Sequence, residues 1–362
     1  HIKSLIIEKL EDPQALHEGI RTLTLNNHSM AMLKAVGLSI EAANVNKIEV
    51  LDGEGTGNIQ FSSEDISEES LSHVVLFNDL RNELLGMCRD ETIFSNEIQS
   101  IQNLNQESDP EVILKDGTSI KTKIIAGCDG RNSNVAKIVS LPNSYSEYEQ
   151  TALTFIVDVK GADQSTAYQV FSDRGIFALM PMPKKDSITN RYTVVWSIKN
   201  SELNNQDAAE YIKDNLSYFE SKLKVSLALD SEILQFGLSN HHFKNYISGP
   251  VVLIGDAAHS IHPLAGQGIN IGLADADIFC EEIIKAYEKG ISINEKTVLK
   301  KYEIRRKGMN LLMLKSMDFF VNTFNSENLY LRLLRNWGLK SVNKTMFIKA
   351  FFIKHASGFN RI

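Results

Sequence analysis

The groups best placed to do chemistry are concentrated between Val251 and Asn270. Val251-Val252-Leu253-Ile254 predicts a short buried strand, and Gly255 and Asp256 follow it directly. Such a strand delivers one carboxylate to the carboxyl edge of a sheet, where open α/β folds place their ligands. Gly255 permits close backbone approach, while Gly266 and Gly268 keep the next turn free of Cβ atoms. A helix starting there points free N–H groups and a positive dipole end into the crevice. A flat, anionic ligand would suit it. Asp256, His259 and His262 also invite a metal reading. A zinc site needs ligands fixed by regular structure, whereas these residues occupy a Gly- and Pro-rich turn, so the histidines are read as bonding that turn. His241-His242 is read as a loop pair rather than a ligand pair.

Elements at many points along the chain must position this turn. Leu5-Ile6-Ile7 predicts a buried strand ending at Glu8. A helix is expected over 29–36, capped by Asn27 or Ser29 and stopped at Gly37. The region 48–61 reads as a hairpin around Gly53, Gly55 and Gly57, 64–70 as an exposed acidic loop, and 80–87 as a helix. Strands 112–114 and 120–126 flank the turn Asp116-Gly117, and the second runs into Cys128-Asp129-Gly130. Cys128 is expected to be a small buried residue. Strands follow at 153–159, 168–171, 176–180 and 192–198, with a polar turn over 184–190. An amphipathic helix is expected over 207–223, and long helices run to about 289, over 297–324 and over 329–352.

Composition narrows the possibilities. With 362 residues, 43% of them hydrophobic, the chain can bury a sizeable core, read as two interleaved domains. A formal charge of -7 argues against general nucleic-acid binding, because no overall basic field is available to neutralise phosphates. Cys88, Cys128 and Cys280 are odd in number and far apart, which favours a reducing, cytoplasmic compartment. No apolar run has the length needed to cross a bilayer. Met346, Phe347, Ile348, Phe351, Phe352 and Ile353 alternate with Lys344, Lys349 and Lys354. A helix of that kind can lie peripherally on the inner face of a membrane, or dock on the protein body or on another copy.

The segment from Val251 to Asn270 resembles the second FAD motif of the class A flavoprotein monooxygenases, the group that includes para-hydroxybenzoate hydroxylase. The resemblance implies Asp256 at the ribityl hydroxyls, Gly255 beside it as a cofactor-binding residue, and Pro263, Gly266, Gln267, Gly268 and Asn270 around the flavin ring. Cys128-Asp129-Gly130-Arg131-Asn132-Ser133 is similar to the family's Asp-Gly motif at the FAD and pyridine-nucleotide sites. Glu8 stands where the family's ribose-binding acid belongs, and Arg21, Asn78 and Arg81 match positions that contact FAD. The region from Phe171 to Trp196, with Leu179-Met180-Pro181-Met182 inside it, resembles the substrate sheet of the ubiquinone-biosynthesis branch. Ala274 and Ala136 both stand where relatives carry basic residues; the change at Ala136, downstream of the Asp-Gly motif, leaves NAD(P)H and a separate reductase open as electron donor.

The resemblance implies an α/β fold: a Rossmann-like FAD-binding domain, an inserted, mainly antiparallel β-sheet substrate domain, and a helical C-terminus. The expected boundaries are 1–40, 72–145 and 245–325 for the FAD domain, 41–71 and 146–244 for the substrate domain, and 326–362 for the C-terminal segment. The family's opening strand–GxGxxG–helix is expected upstream of Glu8 and is not found, so the chain reads as truncated there. The implied function is hydroxylation of a phenolic, polyprenylated ring in ubiquinone biosynthesis, with FAD and dioxygen acting through a C4a-hydroperoxyflavin. The alternatives are a flavin-dependent reductase of the same fold and a non-catalytic partner in a membrane-associated biosynthetic complex.

Overall fold

Strand-forming residues between 143 and 199 build the largest element of the computed structural model, a nine-stranded, mostly antiparallel sheet. The structure describes residues 2–11, 21–104, 108–184, 190–203, 206–260 and 268–324. In spatial order the sheet runs His259–Ser260, Leu234–Phe243, Asn143–Lys160, Arg191–Lys199, Gly175–Pro181, Thr166–Ser172, Lys47–Asp52 and Asn58–Ser62. Ser226–Leu229 pairs beside the far end of the long strand, and Thr166–Ser172 against Lys47–Asp52 is the parallel exception. The strands expected at 153–159, 168–171, 176–180 and 192–198 all lie within it.

Side chains on a strand alternate between faces, and here the alternation selects the core. Leu153, Phe155, Val157, Val194, Trp196 and Phe177 cluster with Phe219 and Ile212 of the helix Ala208–Leu223. Asp207 caps that helix by accepting the Ala209 and Glu210 N–H groups. Trp196 is fully buried, meets Phe219 edge-on at 5.0 Å and donates its indole N–H to the Arg174 carbonyl at 2.8 Å. Burying its polar handle with a partner keeps that ring favourable. Met180 faces the other way and accepts a contact from the Thr24 hydroxyl at 3.1 Å, which ties the large sheet to the strand Thr22–Asn26.

Gly175 starts one of these strands at φ +104, and an added Cβ would meet the Ser197 carbonyl oxygen at 2.1 Å. Both the left-handed backbone and the neighbouring strand exclude a side chain there. Gly175→Ala is therefore expected to cost about 3 kcal/mol, read as a lower denaturation midpoint with an unchanged denaturant slope.

Short parallel strands form the other part of the fold. Ile125–Gly127 pairs in parallel with Val251–Leu253, whose side chains are all fully buried, and Ile247–Ser248 adds an antiparallel edge. Ile6–Ile7 pairs in parallel with Thr92–Ile93, although Leu5 and Ile6 remain exposed. Long helices Gly268–Glu288 and Lys296–Phe324 pack on this part through Ile278, Ile283, Leu299 and Tyr302.

Several expectations are corrected. The strand expected over 120–126 is two strands. Ser119–Lys121 belongs to a hairpin with Glu111–Leu114, whereas Ile125–Gly127 leaves for the parallel pair. Thr122 makes the break, donating its N–H to Pro110 and its hydroxyl to Ile124. The helix Asn27–Ala35 is capped by Asn26, not by Asn27 or Ser29, because Asn26 is extended at a strand end and its Oδ1 accepts the Ser29 N–H at 2.8 Å. Within 64–70 the chain forms a 3-10 turn, Ser63–Ile66, with a reciprocal Ser62–Asp65 cap, and Ser70 is buried. His241 and His242 lie in a strand rather than a loop, held on both sides by Asn143–Lys160 and His259–Ser260. Residues 185–189 and the helix expected over 329–352 lie outside the described residues.

Candidate functional site

The turn after Val251–Leu253 is built by direct backbone packing. Gly255 adopts φ +61, and its missing side chain faces the Gly272 Cα of the helix Gly268–Glu288, 3.5 Å from where a Cβ would stand. A side chain at Gly255 would fit the space beside the helix but would be strained by the left-handed backbone. Three backbone bonds hold the turn further: Ile254 N–H to Gly127 at 3.0 Å, Ala258 N–H to Gly255 at 2.8 Å, and Phe243 N–H to Ala258 at 3.0 Å. Asp256 is thus presented from a rigid turn at the carboxyl end of a buried parallel strand.

Asp256 is exposed to solvent, yet protein surrounds it on several sides. Burial raises its carboxyl above the ordinary range, and the charges of His259, Arg21 and Arg131 pull it back down. The Arg21 guanidinium carbon lies over the Phe77 ring, 4.7 Å from its centroid, and the Arg21 carbonyl accepts the Phe77 N–H at 3.0 Å. Phe77 opens the helix Phe77–Cys88, which carries Asn78 in its first turn and Arg81 in its second. Arg131 reaches the large sheet, donating to the Ser239 hydroxyl at 3.0 Å.

The other expected residues divide by what they touch. Glu8 and Asp129, like Asp256, follow the carboxyl ends of parallel strands. Glu8 accepts the Leu10 N–H at 2.9 Å, and Asp129 accepts those of Asn134 and Val135 at 2.7 and 3.0 Å, which starts the helix Asn134–Ile138. Gly268 opens the helix Gly268–Glu288. Asn270 is buried and its amide is committed to a neighbouring strand, accepting the Asn26 N–H at 2.9 Å and donating to the Thr24 carbonyl at 2.8 Å. Pro263, Gly266, Gln267 and His262 lie outside the described residues. Cys128 is exposed rather than buried, although the packed protein around it and the charges of Asp129, Cys280 and Asp275 hold its thiol up at about 11. It stays protonated and is no nucleophile near neutral pH.

Beneath the turn lies a network that the sequence reading missed. Asp275 is fully buried and accepts from Gly255 N–H at 3.1 Å, Arg306 Nε at 2.6 Å and Asn310 Nδ2 at 3.0 Å. His259 Nε2 lies 2.5 Å from Oδ2, the oxygen that also accepts the Gly255 N–H. Burial would push this carboxyl up, but the hydrogen bonds and charges of His259 and Arg306 outweigh it and hold it below the ordinary range. Asn310 continues the network to Tyr246 at 3.3 Å, and Tyr246 to His242 at 3.1 Å. His259 is thereby spent on Asp275. A signal did exist: Ile271, Asp275, Ile278 and Glu282 share the buried face of one helix, and a carboxylate on such a face demands partners.

His241 and His242 carry the pH dependence of this region. Burial pushes each imidazole down to about 4 from the usual 6.5, opposed at His241 by a hydrogen bond to the Asp256 backbone and helped at both by nearby positive charge. Between those values the unfolded chain binds protons that the folded one refuses, so stability rises with pH there. Stability is expected to be full above pH 6.5 and to fall as pH drops toward 4, where both rings protonate even in the folded state. Urea midpoints across that window check it; a flat profile would contradict it.

The arrangement can hold an anionic, hydroxyl-rich ligand: a carboxylate acceptor for hydroxyls, two nearby arginines for phosphates, and a helix N-terminus. Comparison with known proteins agrees. The FAD binding domain family model matches residues 2–314. The chain is 30% identical over 251 residues to 3-demethoxyubiquinol 3-hydroxylase of Escherichia coli (strain K12), covering 68% of this chain and 62% of that protein. It is 27% identical over 406 residues to the mitochondrial ubiquinone biosynthesis monooxygenase COQ6 of Dictyostelium discoideum, covering 94% and 81%. The chain thus spans about three fifths of the bacterial relative's length. Among solved structures, p-nitrophenol 4-monooxygenase PnpA from Pseudomonas putida DLL-E4 superposes with TM-score 0.78 at 15% identity, covering 99% of this chain and 92% of that one. Klebsiella pneumoniae HpxO complexed with FAD and uric acid gives 0.73 at 16% identity, covering 96% and 90%. At those identities the likeness shows the fold alone.

Proposed function

The chain belongs to the FAD binding domain family, and on that premise we propose that it is an FAD-dependent monooxygenase that hydroxylates an aromatic ring in ubiquinone biosynthesis. One observation carries the reading. Asp256 is delivered by a left-handed glycine turn at the carboxyl end of a parallel strand, flanked by Arg21 and Arg131, where a cofactor with hydroxyls and phosphates fits. The relatives' names supply the pathway.

When bound, FAD supplies the reduction of dioxygen and the delivery of one oxygen atom to an electron-rich ring. The chain's own work is binding, orientation and shelter. Asp256 would accept hydrogen bonds from the ribityl hydroxyls, and Arg21, Asn78 and Arg81 would meet the charged part of the cofactor. The N-terminus of the helix Gly268–Glu288 favours negative charge on the flavin. The large sheet serves as the substrate-binding unit. Its face opposite the helix Ala208–Leu223 carries the buried Thr154 and Ser197, with Leu234 and Phe236 exposed at the margin. That mixture suits a phenolic ring with a polyprenyl tail. Among the described residues no helix is long and apolar enough to cross a membrane, and we place contact with such a substrate at a membrane surface, within a biosynthetic complex. The electron donor is NAD(P)H or a separate reductase.

The test is isotopic. Full-length protein, supplied with FAD, a reductant and a polyprenylated phenol, should give a hydroxylated product carrying label from oxygen-18 gas and no product without oxygen. Product formed anaerobically would replace this reading with a flavin-dependent reductase.

A further inference from the structure

The helix Lys296–Phe324 is anchored on one side only. Val298, Leu299, Tyr302, Glu303 and Asn310 are buried, and Arg306 reaches Asp275. Residues three, four, seven and eight positions apart share a helix face. Lys301, Ile304, Gly308, Leu311, Leu312 and Lys315 therefore form the opposite face, and all of them are exposed. An outward face needs only polar side chains, yet Ile304 is 68%, Leu312 59% and Leu311 36% exposed. Singly such residues mean little, but together on one helix face they make an apolar patch.

Charge indicates what kind of surface would cover it. Between Lys296 and Lys315 the sequence holds seven basic residues and one acid, Glu303, in a chain of net charge -7. Glu303 is buried, where it accepts the Tyr246 N–H and pairs with Lys300. Arg305 and Arg306 are spent on Glu282 and Asp275, and Lys307 donates to the Lys244 carbonyl. Lys301 and Lys315 stand at the two ends of the patch, with no acid on that face between them. A second copy would set these lysines against their own kind, which disfavours association. A phosphate backbone would leave Ile304, Leu311 and Leu312 without a task. A bilayer interface with anionic headgroups uses both, taking apolar side chains into its boundary and holding lysines at its phosphates.

We infer that the outward face of the helix Lys296–Phe324 rests on an anionic membrane surface, with Ile304, Leu311 and Leu312 inserted and Lys301 and Lys315 at the headgroups. This deepens the membrane contact proposed above for a polyprenylated substrate and rests on that reading for its purpose. The inward face of the same helix carries Arg306 and Asn310 to the network beneath the Asp256 turn. The cofactor turn and the lipid then lie on opposite sides of one helix.

Vesicle sedimentation tests this with full-length protein and needs neither flavin nor turnover. The protein should sediment with vesicles of phosphatidylcholine mixed with phosphatidylglycerol, and bind vesicles of phosphatidylcholine alone about tenfold more weakly. Ile304→Ser combined with Leu312→Ser should weaken binding to the mixed vesicles about tenfold, with the melting temperature unchanged because both residues are exposed. Lys301→Gln combined with Lys315→Gln should remove most of the preference for the mixed vesicles. Wild-type protein that stays in the supernatant with both vesicles would overturn the proposal, as would a serine double variant that sediments like wild type. A lower melting temperature in that variant would mean that the chain itself covers the face. A dimer that the variant splits would make the face a contact between copies, and either result also overturns the proposal. Colourless protein that sediments as expected would remove the flavoprotein reading and leave this surface standing.

Discussion

Asp275→Ala should strip the protein of flavin and lower its stability by about 3–5 kcal/mol, the largest loss expected from a single side chain here. Asp275 is fully buried and answers Arg306, Asn310, His259 and the Gly255 N–H together. Removing it leaves a guanidinium, an amide and a backbone donor without their acceptor. Breaking a buried pair by deleting one partner costs far more than the pair contributes against an apolar replacement. At roughly 2–4 °C per kcal/mol for a chain of this size, the melting temperature should fall by roughly 10 °C. The flavin effect has a separate cause: the Gly255 N–H is no longer held, so the turn presenting Asp256 loosens. Asp275→Leu combined with Arg306→Met tests the separation, since an apolar pair should restore much of the stability while flavin affinity stays low. Return of both together would mean that the network acts on flavin only through global stability.

Asp256→Ala should do the reverse, costing flavin affinity and sparing the fold. Burial already raises this carboxyl, which means that the empty chain holds the charge at a disadvantage. Its removal should leave the apoprotein as stable as before, or slightly more so, as is common where a site is kept for function. Each hydrogen bond to a charged acceptor contributes about 1.5–3 kcal/mol, so loss of the carboxylate should weaken FAD binding about 100-fold by equilibrium dialysis. Asp256→Asn, which keeps an acceptor without the charge, should fall between the two. An Asp256→Ala protein that binds FAD normally would move the cofactor site elsewhere.

The legible and the hidden parts of this molecule differ in sequence range. Val251-Val252-Leu253-Ile254-Gly255-Asp256 could be read because an apolar run and a glycine act on their own neighbours. The same holds for the strands from 153 to 198 and for the helix Ala208–Leu223, whose periods are local. Asp275 was not legible as an anchor because Arg306 and Asn310 lie 31 and 35 residues away; the buried helix face raised the question without naming the partner. The strand Leu234–Phe243 was hidden by its own composition. Its His241-His242 pair was read as a loop, and what makes the segment a strand is pairing with Asn143–Lys160, eighty to a hundred residues earlier. Asn270 shows the remaining difficulty. Its place in the motif was evident, but the commitment of its amide to Thr24 and Asn26 depends on a strand more than two hundred residues away in sequence.

The central claim is that the turn at Asp256 holds FAD, and a visible absorbance spectrum of the purified full-length protein after gel filtration tests it most directly. A yellow protein with a stoichiometric bound-flavin spectrum, lost in Asp256→Ala while the apoprotein stays folded, is the predicted result. A folded wild-type protein that remains colourless after incubation with excess FAD would contradict the claim and leave the non-catalytic partner as the reading to pursue.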